Sequence, residues 1–336
     1  MKHFRTGTIF LLLLFICTGC QANVRQTSSA ETETVVTQAA IKDEIFSGES
    51  ILSSEIPFHG ITPEYFAYNM ASNSLTLIER SEDTYTLHRL LADGTIQSPG
   101  IKWKIPAEHF LDNFVYGSDG SFYGVLKHYD KKGRTRQSFV KLQNNGTYKT
   151  VKLKGLDDVP MTKLDSFVRK KGGTADHSIT DVQFSGTALS ITYSNYAVKF
   201  YNIAEGLSLG DTKITGTAGH NVFYNNIFVT TGLTSGYECI LNYFDIRTGE
   251  KIDSCQTEDI LFLANYRETL YMLTKNALYT GTTEPSSFTA TADFSDLHLP
   301  AGGRISKLFA ARDNRLYLIY QDSQANIHLY KVELYR

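Results

Sequence analysis

One short pattern recurs six times along the 336 residues: a turn, a polar residue, then alternating apolar positions. The copies are Asn73–Ile78, Gly120–Val125, Thr187–Thr192, Asn225–Thr230, Glu268–Leu273 and Asn314–Ile319. The third residue is always apolar: Leu75, Phe122, Leu189, Ile227, Leu270 and Leu316. Successive copies lie 47, 67, 38, 43 and 46 residues apart. Most are followed by a β-rich run ending in a turn: Leu87–Gly94, Val140–Gly146, Val198–Gly206 and Asn242–Gly249. Glycine in those turns supplies the positive φ that tight hairpins need.

Period-2 apolar runs separated by frequent turns predict an all-β sandwich, barrel or propeller. A repeat of roughly 40–50 residues selects the propeller, because each four-stranded sheet needs neighbours to bury its faces. The 20 Tyr and 20 Phe suit such half-buried pleated surfaces. The predicted fold is therefore a six-bladed β-propeller of four-stranded antiparallel blades, with seven blades as the alternative. The 67-residue interval is read as an insertion at Gly155–Ser178. The last repeat stops after its third strand, so Gly48–Ile56 is expected to supply the outer strand and close the ring. Closure removes exposed sheet edges.

The rhythm over residues 46–336 resembles that of TolB-like six-bladed propellers. The Trp-Asp ending of WD40 blades is absent, Trp103 being the only tryptophan. Gly117–Phe122 is only loosely similar to the Asp-box of sialidase-type propellers.

The N-terminus carries Lys2 and Arg5, then nine residues, Thr8–Ile16, dominated by Leu, Ile and Phe. A spanning helix needs about 20 apolar residues, whereas this length suits the h-region of a signal peptide. The segment ends on Cys17-Thr18-Gly19-Cys20. Thr18, Gly19 and Cys20 resemble the lipobox of bacterial lipoproteins, although Cys17 stands where an aliphatic residue is usual. The resemblance implies cleavage before Cys20 and diacylglycerol on its sulfur. Two acyl chains give stable anchoring where one is marginal. An ordinary secretory signal is the alternative.

Loss of residues 1–19 removes two basic groups and no acidic ones, leaving 31 Lys and Arg against 35 Asp and Glu. A net charge of −4 argues against a nucleic-acid binder. Residues 21–44 are rich in Thr, Ser, Gln, Ala and Glu and hold no aromatic residue. They read as a disordered tether within 20–45, spanning on the order of 25–30 Å as a coil. The expected organisation is signal peptide 1–19, lipidated tether 20–45 and propeller 46–336, extracytoplasmic and monomeric.

Export permits disulfides. Cys239 and Cys255 lie eight residues on either side of position 247. Across an antiparallel hairpin they are expected to face one another and form a structural disulfide, with two buried free thiols as the alternative. Without a Cys-x-x-Cys spacing, a redox site is not expected.

Phosphate loops, His-Glu-x-x-His and nucleophile elbows do not occur. The eight histidines beyond the signal form no local metal-ligand cluster, so neither metal nor cofactor is expected. One segment points to a binding face. The loop Lys127–Gln137 carries Lys127, Lys131, Lys132, Arg134 and Arg136 against Asp130 alone. The insertion adds Lys163, Arg169, Lys170 and Lys171, offset by Asp157, Asp158, Asp165 and Asp176. In a propeller both segments emerge at one end, and long loops on a rigid scaffold carry function. The expected partner is anionic, an envelope polymer or a protein.

The sequence thus favours a membrane-anchored, non-catalytic binding or scaffold module. The alternatives are a carbohydrate-active hydrolase or lyase, and an accessory or sensor subunit of an envelope transport or signalling system.

Overall fold

In the computed structural model, the described residues are 51–335 except 59, 92–93, 130–134, 174, 176, 214–219, 235 and 284–287; at 98–99 the backbone alone is described. Six four-stranded antiparallel sheets are arranged as blades. Blade 6 borrows its outer strand from the start of the described chain, β1 (Ile51–Ile56). Blade 1 is β2 (Tyr65–Asn69), β3 (Ser74–Ser81), β4 (Thr84–Leu90) and β5 (Ile96–Lys104). Blade 2 is β6 (His109–Tyr116), β7 (Phe122–Tyr129), β8 (Thr135–Leu142) and β9 (Tyr148–Thr150). Helix α1 (Lys163–Lys170) precedes blade 3: β10 (Ile179–Ser185), β11 (Ala188–Tyr193), β12 (Ala197–Asn202) and β13 (Leu207–Lys213).

Blade 4 is β14 (Asn221–Tyr224), β15 (Ile227–Leu233), β16 (Cys239–Asp245) and β17 (Lys251–Gln256). Blade 5 is β18 (Ile260–Tyr266), β19 (Thr269–Thr274), β20 (Ala277–Thr282) and β21 (Thr289–Asp293). Blade 6 is β22 (Arg304–Ala311), β23 (Arg315–Gln321) and β24 (Ile327–Leu334), with β1 outermost.

All six repeat copies fall on the turn into the second strand of a blade. A left-handed residue stands at each of those turns: Asn73, Gly120, Gly186, Asn225, Arg267 and the pair Asp313–Asn314. The apolar third residues are buried, apart from half-buried Ile227. The run-ending glycines make a second recurring contact. Gly206 and Gly249 have positive φ, and a Cβ on either would strike a carbonyl of the preceding blade's outer edge, that of Lys152 or of Asp211.

One apolar cluster lies between each pair of adjacent blades. Between blades 6 and 1, Phe66, Leu75 and Leu77 meet Ala311, Tyr317 and Ile319. This closes the ring. The cluster between blades 3 and 4 holds only six buried residues. Polar side chains share that interface: Asn221 Nδ2 donates to Thr192 Oγ1 at 3.3 Å, and Thr230 Oγ1 donates to Asn221 Oδ1 at 2.7 Å.

The expected closing strand is present, Ile51 opposing Leu334 and Ile56 opposing Leu329. Among its described residues, the Gly155–Ser178 insertion holds one helix and no further blade. Two expectations change. Cys239 and Cys255 do not oppose one another: Leu241 stands opposite Cys255, and both cysteines are free thiols. The turn pairs Phe244 with Lys251, which centres the hairpin between 247 and 248, and a bulge between Tyr243 and Phe244 shifts the register one residue further. Lys127 is not a loop charge either. It is 6% exposed and donates from Nζ to Asp112 Oδ2 at 2.7 Å and to the Ile179 carbonyl at 2.6 Å.

Candidate functional site

Antiparallel pairing gives the ring two ends. The start of each blade's first strand shares an end with the turn between its second and third strands. This is termed the entry end. The six first strands surround a central channel of about 710 Å³. It runs from Thr180, His220 and Lys307 at the entry end to Gly117, Gly186 and Arg267 at the other.

At the entry end, consecutive blades are joined by side chains. Asn113 Nδ2 donates to Asp112 Oδ1 at 2.9 Å and reaches across to the Ile179 carbonyl at 3.2 Å. Asn221 Nδ2 donates to Asp181 Oδ2 at 2.9 Å, and Gln183 Nε2 approaches the same carboxylate at 3.3 and 3.4 Å. The His220 ring packs against Phe262 with centroids 4.2 Å apart. Burial, and then the charge of Lys307, push its imidazole down to about 4, so it is neutral at pH 7. Burial also pushes the Asp112 carboxyl up, with Lys127 and Asn113 opposing.

These partners decide which groups are available. The oxygens of Asp112 are held by Lys127 and Asn113, and Asp181 is held by two amides. Lys307 is exposed and has no ion-pair partner among the described residues; its ammonium lies 5.5 Å from the Phe309 ring centroid. Among the described residues of the mouth, Lys307 thus offers an ammonium without an ion-pair partner and His220 a neutral imidazole. Asp181 on blade 3 and Lys307 on blade 6 occupy opposite walls. At the other end, Tyr68 and Tyr116 spend their hydroxyls on Asn73 and Thr76. Among the described residues, no three His, Cys, Asp or Glu side chains come together as a metal-holding group.

The basic residues singled out from sequence divide. Cys20, Lys131, Lys132 and Arg134 lie outside the described residues. Arg136 is exposed on β8, Arg169 and Lys170 are exposed on α1 and Lys171 at its C-terminal cap, all toward the entry end. Asp165, counted as a surface charge, is buried and holds α1 in place. His88 and His328 each face carboxylates, Glu79 for the first, Glu55 and Asp322 for the second.

Sequence reading missed the channel mouth. A signal was available: Asn113, Asp181, His220 and Lys307 stand seven, six, five and seven residues before their repeat turns. A polar residue there lies on or just before a first strand and lines the channel.

Comparison with known proteins adds the fold. No protein-family model matches the chain, and no curated protein matches its sequence. The soluble aldose sugar dehydrogenase of Escherichia coli, in its apo form, is similar with a TM-score of 0.53 at 11% identity. That likeness covers 85% of this chain and 100% of the other. A glucose dehydrogenase is similar with a TM-score of 0.52 at 13% identity, over 83% of this chain and 99% of the other. The likeness is one of fold. Among the described residues, no helix is long and apolar enough to cross a membrane.

Proposed function

We propose that this chain is an extracytoplasmic lipoprotein, anchored through Cys20, that binds a polar ligand at the entry end of its channel without transforming it. The observation that carries the binding reading is the scarcity of carboxylates: among the described lining residues of the channel, Asp181 alone bears one. Glycoside hydrolysis uses a pair of carboxyl groups. Asp181 already accepts from Asn221 and Gln183, and Asp112 stands outside the lining, paired with Lys127 and Asn113. Lys307 and His220 are the groups proposed to meet a ligand. An anionic group on the ligand pairs with the first, and a neutral imidazole accepts or donates one hydrogen bond to it.

The sugar dehydrogenases share the scaffold, and fold alone does not carry their activity to this chain. The anchor rests on the match of Thr18-Gly19-Cys20 to a lipobox.

Both parts are testable on protein extracted from membranes in detergent. Intact mass should show a chain beginning at Cys20 with a diacylglyceryl adduct; an unmodified start elsewhere overturns the anchor. Native mass spectrometry after incubation with envelope extract should show an adduct of unchanged mass. Replacement Lys307→Gln should lose it. A chemically altered product released by the wild type overturns the non-catalytic reading.

A further inference from the structure

Helix α1 is built inside out. Its one buried residue is the charged Asp165, at 1% exposure, while Leu164 and Phe167 stand 40% and 59% exposed. Met161, one turn earlier, is 48% exposed. Apolar area left in water forgoes about 25 cal/mol per Å², so the orientation must be enforced. Asp165 enforces it. Its Oδ2 accepts from the Thr162 N–H at 2.7 Å and from Asn195 Nδ2 at 2.8 Å, and its Oδ1 lies 2.9 Å from His177 Nε2. Asn195 Nδ2 also donates to the Pro160 carbonyl at 3.0 Å, and the Tyr193 hydroxyl donates to the Leu156 carbonyl at 2.7 Å. The segment is thereby fixed to blade 3 with its apolar side chains turned outward.

The outward side is also basic. At about 100° per residue, Lys163, Leu164, Phe167, Lys170 and Lys171 fall within roughly a third of the helix circumference. None of the three lysines has an ion-pair partner among the described residues, and Lys171 lies 6.0 Å from the Phe167 ring centroid. The same end of the ring carries two more exposed aromatic residues. Tyr129, 54% exposed, stacks on Phe110 with centroids 5.6 Å apart, and Tyr237 in the β15–β16 turn is 85% exposed. Going round the ring, blade 2 and the insertion thus present aromatic and basic groups together, and blade 4 adds the aromatic Tyr237.

We infer that this end of the ring docks on an anionic lipid bilayer. Phe167, Leu164 and Met161 enter the interface, while Lys163, Lys170 and Lys171 meet headgroup charge. The pairing of chemistries selects the occupant. A polyanionic wall polymer would satisfy the lysines and leave Leu164 and Phe167 in water. A basic helix with an exposed apolar face suits a lipid interface, and tyrosines favour that depth. The chain enters the ring at Ile51, on the opposite end. The 31 residue steps from Cys20 to Ile51 reach about 100 Å when extended, well beyond the ~25 Å length of an eight-residue strand. A lipid on Cys20 therefore leaves the entry end free to turn to the same bilayer. The inference depends neither on that lipid nor on the channel's ligand.

The test uses residues 46–336, which contain all six blades and all six clusters and so form the ring without Cys20. Co-sedimentation is measured with vesicles of phosphatidylcholine alone and with added phosphatidylglycerol. The expected result is binding to the anionic vesicles that weakens as salt is raised. The triple replacement Lys163→Ser, Lys170→Ser and Lys171→Ser should lower the partition constant about 100-fold. Leu164→Ser with Phe167→Ser should lower it at least about tenfold, with an unchanged melting temperature as the control for folding. Asp165→Asn, which frees the helix, should weaken binding while leaving the basic and apolar residues in place. No binding to anionic vesicles overturns the proposal. So does binding that survives both sets of replacements, or a dimer in vesicle-free buffer that Phe167→Ser dissociates.

Discussion

His328 Nδ1 on the last strand lies 2.8 Å from Glu55 Oε1 on the first described strand, across the seam where the ring closes. The other ring nitrogen is 3.2 Å from Asp322 Oδ2. The hydrogen bond to Glu55, aided by Asp322, raises the imidazole above its ordinary value. A raised histidine stabilises the fold fully below its unfolded value, near 6.5, and loses that contribution as pH rises through the folded value. With Glu55 half exposed, the effect is at most about 1 kcal/mol. Urea unfolding should therefore show a small loss of stability from about pH 6 to pH 8. Glu55→Gln should flatten that slope, and an unchanged slope in this variant would remove the seam ion pair from the picture.

His220 predicts the opposite dependence. Its folded value of about 4 lies below the unfolded one, so its neutral form stabilises the fold above about pH 6.5 and the gain disappears as pH falls toward 4. The shift corresponds to about 3 kcal/mol. Proton NMR of the imidazole should give a midpoint near 4, and His220→Gln should remove this acid-side loss. A midpoint near 6.5 would mean the ring is solvated and not packed on Phe262.

Lys127 is buried with Asp112 as its partner. Lys127→Met leaves that carboxylate without its cation and should cost about 3–5 kcal/mol. Lys127→Met combined with Asp112→Leu should recover much of the loss, because no charge is then left buried. Urea denaturation of the two variants measures the coupling. A single variant within about 0.5 kcal/mol of wild type would show that the pair is solvated.

The ring was readable from sequence because it is a local pattern repeated. Asn73, Asn225 and Asn314 take the left-handed conformation at equivalent turns, and Leu75, Leu189, Leu270 and Leu316, two or three residues past such a turn, are buried in the interblade clusters. Ile51–Ile56 was legible for a related reason: a blade short of one strand has an open edge to fill. Pairings that depend on register were not legible. The turn pairs Phe244 with Lys251, one step off symmetry, and the bulge at Tyr243/Phe244 adds a second step, which sets Leu241, not Cys239, opposite Cys255. Lys127 looked like one more charge in a basic loop until the first strands of blades 2 and 3 brought Asp112 and the Ile179 carbonyl to its ammonium. The channel mouth is the extreme case. Asp181 and Asn221 are 40 residues apart and meet only because two blades stand side by side. Polar residues five to seven positions ahead of the repeat turns, Asp181 and His220 among them, were the trace of it in the sequence. Helix α1 misled in another way, since its buried residue is an aspartate and its apolar residues face outward.

The proposed ligand site and the proposed lipid contact both lie at the entry end of the ring, and site-specific photo-crosslinking in cells distinguishes that end from the other. A photoreactive residue is placed at Thr180, exposed at the channel mouth, or at Asp313, exposed in a turn at the opposite end. Adducts to ligand or lipid should form from position 180 and be absent from position 313. Adducts from position 313 alone, or equal yields from both, would contradict that placement.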